Sequence, residues 1–199
     1  MQILETSRLT LRELHPDDAD ALSLVLSDPE TMRFYPAPFD RPKVEQWIDR
    51  QIRRYANNGH GLWGMVLKSS GELVGDCGLT VQEVDGVSEV EIGYHVRRDL
   101  WGQGLAAEAA RACLDLGFAR LPVERIVSLI RPENLPSRRG AEKVFREDLE
   151  RNPRNPRSLF GLREALKAQG RDYDAGFVQE QFRNSWKGGP SELKLEDLA

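Results

Sequence analysis

Apolar residues along this chain change their period several times, and each change marks an element. Residues 10–14, Thr-Leu-Arg-Glu-Leu, alternate and predict a short strand. His15-Pro16-Asp17-Asp18 then opens a helix, with proline and acids in its first turn. Ala21, Leu22, Val25 and Leu26 follow at helical spacing until Asp28-Pro29 stops them. A second helix is expected over residues 42–55, with Val44, Trp47, Ile48 and Ile52 on one side and Asn57-Asn58-Gly59 as its end. From Leu62 the period is that of strands: residues 62–68, a turn, residues 73–84, an Asp85-Gly86 hairpin turn, and residues 88–96. Strands joined by tight turns form an antiparallel meander. Residues 105–120 predict a strong helix closed by Pro122, and residues 125–130 a buried strand. A strand, a crossover helix and a strand give parallel pairing. The order β-α-α-β-β-β-α-β is an α+β layout with one parallel unit.

Beyond this the pattern stays helical. Val144, Phe145 and Leu149, then Leu159, Leu162 and Leu166, precede a break from Gly170 to Ala175, and a last helix is expected over residues 173–186. Residues 141–186 are therefore expected to add no strand.

The chemistry is most concentrated in Val96-Arg97-Arg98-Asp99-Leu100-Trp101-Gly102-Gln103-Gly104-Leu105-Ala106, where a strand feeds a glycine-rich turn that opens a helix. The N–H groups of Gln103, Gly104, Leu105 and Ala106 lack helical partners, and the helix dipole adds partial positive charge there. Glycine removes the Cβ that would keep a phosphate away, so a pyrophosphate fits. Two other readings stay open locally. The glycines suit any tight turn. Gly102-x-Gly104-x-x-Ala107, with Glu133 after the next strand, also matches a dinucleotide-binding fingerprint. The antiparallel strands upstream and the insertion of residues 97–101 between strand and glycine argue against the latter.

Composition narrows the class. At 199 residues, 40% hydrophobic and 30% charged, the chain suits a soluble globular protein. A net charge of −4 argues against general nucleic-acid binding, whose electrostatic term needs a basic face. No apolar run approaches the roughly 20 residues that span a membrane, and the first residues lack a signal-peptide layout, so a cytoplasmic location is expected. Cys77 and Cys113 have no CxxC spacing, and His15, His60 and His95 are scattered, so no metal is expected.

The turn, read here as Trp101-Gly102-Gln103-Gly104-Leu105-Ala106, resembles the acetyl-CoA motif of the GNAT superfamily of N-acetyltransferases. The Trp, the opening Glu5-Thr6-Ser7-Arg8-Leu9-Thr10-Leu11-Arg12, Val74-Gly75-Asp76-Cys77-Gly78-Leu79, Glu91-Ile92-Gly93-Tyr94 and Glu108-Ala109 are similar to its RimJ/RimL-like subgroup. The resemblance spans residues 3 to about 140 and implies a GNAT-like mixed sheet flanked by helices. It implies acetyl-CoA as co-substrate, lying where the strands before the turn and after the helix splay apart. Main-chain groups of Tyr94, His95 and Val96 would hold the acetyl carbonyl and the pantetheine arm. The turn itself (Trp101, Gly102, Gln103, Gly104, Leu105 and Ala106) would hold the phosphates, with Arg97, Arg98 and Arg138 beside it. Asn134 would contact the pantetheine. Glu91 is implied as the base and Ser137 as the donor to the leaving thiolate. A protein N-terminus is the favoured acceptor, with a small amine as the other. An α-amino group of pKa ~7.7–8.0 loses its proton at neutral pH for about 1 kcal/mol, a lysine at ~10.4 for about 4–5 kcal/mol.

The subgroup normally ends with two further strands. Here Ser137-Arg138-Arg139-Gly140-Ala141-Glu142-Lys143 leads instead into a helical tail that resembles the end of a tetratricopeptide repeat, with Ala141 and Ala175 one period of about 34 residues apart. Domains are accordingly expected at 1–140 and 141–199. The alternative is a helical interaction protein or a hybrid gene product whose truncated head is catalytically impaired. An uncovered edge on the strand at 125–130 further predicts a homodimer.

Overall fold

In the computed structural model, residues 1–185 are described except 85, 124 and 132. The strands are β1 (Gln2–Glu5), β2 (Leu9–Arg12), β3 (Leu62–Leu67), β4 (Leu73–Val84) and β5 (Val87–Val96). They form one sheet in that order, every pairing antiparallel. Helices α1 (Ala19–Leu26) and α2 (Arg41–Asn58) cover one face, and α3 (Leu105–Arg120) the other.

Alternation makes the two faces. Leu9, Leu11, Trp63, Met65, Cys77, Leu79, Ile92 and Val96 pack against Leu105, Ala109, Ala110 and Cys113 of α3. The small residues of α3 let it lie close to the strands; a Cβ on Gly117 would stand 2.7 Å from Leu79 and from Ile126. On the other face Leu22, Val25 and Leu26 of α1 meet Val44 and Ile48 of α2, with Leu14, Met32, Phe39 and Leu73. Asp40 caps α2 by accepting from the Lys43 N–H at 3.0 Å, and Gly59 closes it at φ 73°.

Local signals served well for most elements. The helix at 105–120, the meander and its register follow the pattern. The expected Asp85-Gly86 turn falls partly outside the described residues; Gly86 has φ 80°. Strand β1 escapes notice because its apolar pair, Ile3-Leu4, is adjacent rather than alternating, and a bulge between Gln2 and Leu4 shifts its register.

The parallel strand expected at 125–130 is corrected. It shrinks to one parallel bridge, in which Val127 N–H donates to Val90 O at 2.9 Å and Ile92 N–H donates to Val127 O at 2.8 Å. On either side, side chains replace the ladder. Arg125 binds the Glu89 carboxylate, and the Leu129 N–H reaches Glu91 Oε1 at 3.4 Å. The sheet is therefore antiparallel with a single parallel contact rather than truly mixed. That arrangement also removes the dinucleotide-binding alternative, which needs successive parallel units.

A second unit begins at Ile130, the first ending at Leu129. It comprises α4 (Leu135–Arg151), α5 (Pro156–Ala168) and α6 (Asp172–Ser185), with no strand among its described residues. Gly140 sits inside α4, where a helix-interior glycine costs only about 1 kcal/mol relative to alanine. The core is Leu159, Phe160, Leu162, Leu166, Ala175, Val178 and Phe182, with Phe145 and Leu149 against it. Glu142 accepts from Arg146 of its own helix at 2.8 Å, and from Gln169 at 2.8 Å and Arg171 at 2.9 Å, tying α4 to the turn between α5 and α6. Among the described residues, no helix is long and apolar enough to cross a membrane.

Candidate active site

Strand β5 is the last in the sheet, and its hydrogen bonds divide by parity. Arg97 N–H donates to Val74 O at 2.8 Å, while Ile92 N–H donates outward to Val127. In an antiparallel ladder this alternation repeats every second residue. Glu91, Gly93 and His95 therefore turn their main-chain groups toward β4, and Ile92, Tyr94 and Val96 turn theirs to the outer edge. Tyr94 and Val96 thus offer main-chain groups at the outer edge, and His95 offers its side chain on the face opposite α3. The Val96 carbonyl accepts from Trp101 Nε1 at 2.7 Å, so the Trp of the turn is pinned to the end of the strand.

The turn has the geometry its sequence predicts. Gly102 and Gly104 both adopt left-handed φ, 76° and 78°, which an L side chain enters at a cost of roughly 1–2 kcal/mol. Gly104 caps α3 without a side-chain hydrogen bond, and the first intrahelical bond runs from Glu108 N–H to Gly104 O at 3.0 Å. The N–H groups of Leu105, Ala106 and Ala107 precede that bond and give the helix its positive end. A Cβ on Gly102 would meet no atom within 4 Å, so there is open room beside the turn. These features fit an anionic, phosphate-bearing group.

A staple that sequence reasoning missed holds the turn in place. Glu108 Oε1 accepts from Thr6 Oγ1 at 2.6 Å, Ser7 Oγ at 2.9 Å and the Arg8 N–H at 2.9 Å, and Oε2 accepts from Arg8 Nε at 2.7 Å. Arg8 Nη1 in turn donates to the Gln103 carbonyl at 2.9 Å. Burial pushes the Glu108 carboxyl up, but the bonds from Thr6, Arg8 and Ser7 outweigh it and bring its pKa down to about 2.

The flanking arginines are partly committed elsewhere. Arg97 donates to both oxygens of Asp99, at 2.8 and 3.1 Å, and lies 3.7 Å from Glu72. Arg98 lines a cavity of about 590 Å³ with Leu24, Asp28, Arg97 and Asp99. The remaining expected residues belong to the second unit. Asn134 caps α4 by accepting from Ser137 N–H at 3.2 Å, and Arg138 donates to the Ala168 carbonyl.

The face of β5 opposite α3 carries a polar network. His95 Nδ1 lies 2.7 Å from Asp76 Oδ1 across the β4–β5 pair, and His95 Nε2 lies 2.8 Å from Tyr35 Oη. Trp47 Nε1 donates to Asp76 Oδ2 at 2.9 Å. The Asp76 side chain is fully buried, that of His95 is 10% exposed, and Tyr35 is 38% exposed. Rings enclose the cluster: Tyr35–Phe39, Phe39–Trp47 and Trp47–His95 have centroids 5.9, 5.6 and 5.8 Å apart. Burial, with the charges of Asp76 and Glu91, raises the Tyr35 hydroxyl to about 12, so it stays protonated. Glu91 lies on this face too, with Oε2 accepting from Gln82 Nε2 at 2.9 Å and Oε1 facing Leu129 N–H. A signal for the Asp76–His95 pair existed in the sequence: counting back from the hairpin turn pairs Val84 with Val87 and, in the same register, Asp76 with His95. Among the described residues, no cluster of three or more His, Cys, Asp or Glu side chains could hold a metal.

Comparison with known proteins bears on what this geometry serves. A family model described as an acetyltransferase (GNAT) domain matches residues 8–144, which reach into α4. The chain is 37% identical over 142 residues to the uncharacterized protein YkkB of Bacillus subtilis (strain 168), covering 71% of this chain and 83% of that one. It is 34% identical over 143 residues to the uncharacterized N-acetyltransferase p20 of Bacillus licheniformis, covering 69% and 78%. Among solved structures, an acetyltransferase from Agrobacterium tumefaciens str. C58 matches with a TM-score of 0.64 and 29% identity, covering 72% and 82%. A putative ribosomal-protein-serine acetyltransferase from Vibrio cholerae matches with a TM-score of 0.60 and 25% identity, with the same coverage.

Proposed function

Because the chain belongs to the GNAT acetyltransferase family, we propose that it transfers an acetyl group from acetyl-CoA to a primary amine, with a protein N-terminal α-amino group as the acceptor. The observation that supports this most is the uncapped helix start behind two left-handed glycines, beside a strand whose even-numbered residues turn their main chain outward. The pyrophosphate would lie against the N–H groups of Leu105, Ala106 and Ala107. The pantetheine would extend along the edge offered by Tyr94 and Val96, as an added strand does. Acetyl-CoA supplies the thioester, and the protein holds it and removes a proton from the amine. Arg97 and Arg98 are secondary in this reading, since carboxylates already engage Arg97.

The N-terminal acceptor is favoured because its amine is deprotonated at small cost near neutral pH, and because a structural relative is described as a putative ribosomal-protein-serine acetyltransferase. The proton acceptor belongs on the side-chain face of β5 that carries Glu91, Gly93 and His95. Glu91 is the base the family resemblance implies. The three-helix second unit reads as a repeat-like interaction module, supported by its separate core and the period from Ala141 to Ala175.

The test is calorimetry with acetyl-CoA, followed by transfer to a panel of peptides and small amines measured as released thiol. Gly102→Asp places a carboxylate in open room beside the turn, in a conformation that Asp tolerates. The variant should stay folded, melt lower by the roughly 1–2 kcal/mol of strain a side chain meets at this φ, and lose acetyl-CoA affinity by tenfold or more, about 1.4 kcal/mol. Equal affinity in the folded variant would remove the glycine turn as the cofactor site.

A further inference from the structure

We propose that Tyr35, His95 and Asp76 form a proton relay that takes the proton from the acceptor ammonium at Tyr35 Oη and holds it at His95 Nε2. This rests on the acetyltransferase reading and assigns the base within it.

The hydrogen-bond inventory fixes the direction of the relay. Trp47 Nε1–H can only donate, so Asp76 Oδ2 is an acceptor. With Asp76 ionised, Oδ1 also only accepts, so the imidazole carries its hydrogen on Nδ1 and donates it to Asp76 at 2.7 Å. His95 Nε2 then presents its lone pair, and Tyr35 Oη–H donates to it at 2.8 Å. A buried carboxylate thus orients an imidazole whose basic nitrogen leads, through a hydroxyl, to the surface. Tyr35 is the exposed residue of the three, His95 is half-buried and Asp76 is buried. The same division of labour among carboxylate, imidazole and hydroxyl underlies base catalysis elsewhere.

Glu91 is placed less well for this task. Both its oxygens have structural partners, Gln82 on one and Leu129 N–H on the other, and the second of these helps hold residues 125–129 against β5. It sits four residues before His95, on the bridged part of the strand. Its charge still faces Tyr35, as does that of Asp76. From α2, Lys43 lies over the Phe39 ring at 4.4 Å and Arg50 over the Trp47 ring at 5.5 Å, so two cations flank the ring cluster. Arg54 feels the charge of Glu91.

The protons balance as follows. The ammonium gives one proton to Tyr35 Oη while the hydroxyl proton moves to His95 Nε2, and Asp76 stabilises the imidazolium. The neutral nitrogen forms its C–N bond to the acetyl carbon as the C–S bond breaks, and the second nitrogen proton goes to the departing thiolate. His95 returns its proton to solvent through Tyr35. One amide, one thiol and one released proton result.

The experiment measures transfer to a peptide with a free N-terminus from about pH 6 to 9, bracketing the acceptor's α-amino group. It uses the full chain and Tyr35→Phe, His95→Gln, Asp76→Asn and Glu91→Gln, with acetyl-CoA affinity by calorimetry. His95→Gln should lose roughly a hundredfold or more in kcat and change the shape of the pH profile, with acetyl-CoA affinity unchanged. Tyr35→Phe should move in the same direction. Asp76→Asn should lower kcat while leaving acetyl-CoA affinity unchanged, since Asp76 is a positioning residue. Glu91→Gln should lose less than His95→Gln. A His95→Gln enzyme with the parent's kcat and pH profile overturns the relay and leaves the acetyltransferase reading intact. If His95→Gln fails to fold, Tyr35→Phe decides, because it keeps the ring and deletes the hydroxyl; an unchanged rate and profile overturns the relay. A full chain that transfers acetyl to no amine in the panel overturns relay and reading together.

Discussion

Replacing Glu108 with Gln isolates the staple between the first turn of the chain and the start of α3. The amide oxygen can still accept from Thr6, Ser7 and the Arg8 N–H, but the charge is gone and an amide N–H₂ now faces the Arg8 guanidinium. In the native protein the carboxyl is held near 2 against an ordinary 4.5. At ~1.36 kcal/mol per tenfold, that difference is nominally about 3 kcal/mol in favour of the ionised folded form. The Arg8 side chain is 47% exposed and that of Glu108 18%, so solvent screens the pair. About 1–2 kcal/mol is the realistic share. Because the folded pKa is depressed, this stabilisation is complete above pH 4.5 and disappears as pH falls toward 2. Thermal melts of the parent and Glu108→Gln, followed by tryptophan fluorescence, should differ by roughly 3–8 °C at neutral pH and converge across that acid window. Two curves that stay parallel from neutral pH to pH 2 would show that the charge of Glu108 contributes nothing to the fold.

Two further outcomes follow from packing. In the second unit, a Cβ on Gly161 would press into the Phe145 ring well inside van der Waals contact, so Gly161→Ala should destabilise that unit by about 1–3 kcal/mol in denaturant unfolding, and Phe145→Leu on the same background should restore part of it. Cys77 and Cys113 face each other with sulfurs 3.8 Å apart in the core of the first unit, and burial pushes the Cys77 thiol far up. A thiol reagent should therefore label both slowly in the native protein and together on unfolding; fast native labelling of either would contradict the packing.

The parts of the fold legible in the sequence are those written locally. Periodicity and punctuation place α3, the meander and the three tail helices, because amphipathic spacing and turn residues act within a few positions. The glycine turn is legible for the same reason. The parts that escaped depend on partners far along the chain. Residues 125–130 look like a strand, yet Glu89 and Glu91 supply side-chain partners that compete with a ladder. The staple at Glu108 joins residues about a hundred positions apart. The Tyr35–His95–Asp76 network draws on a loop and two strands, and each member has a bland local reading. Only the hairpin register, which puts Asp76 opposite His95, carried part of it.

The parity of β5 has a consequence for how such a protein diversifies. Its even-numbered residues meet the proposed cofactor through main-chain groups, while their side chains fill the core against α3. Backbone orientation survives nearly any substitution that the core tolerates, so that half of the site is sheltered from sequence drift. The odd-numbered Glu91 and His95 project their side chains from the opposite face, where the proposed acceptor would lie, and a change at His95 would alter the chemistry presented to the amine without touching the edge. One strand thus separates a constant function from a variable one by the alternation of a pleat. Under the proposed function, new acceptors would become accessible through side chains on that face, at little risk to the proposed donor site.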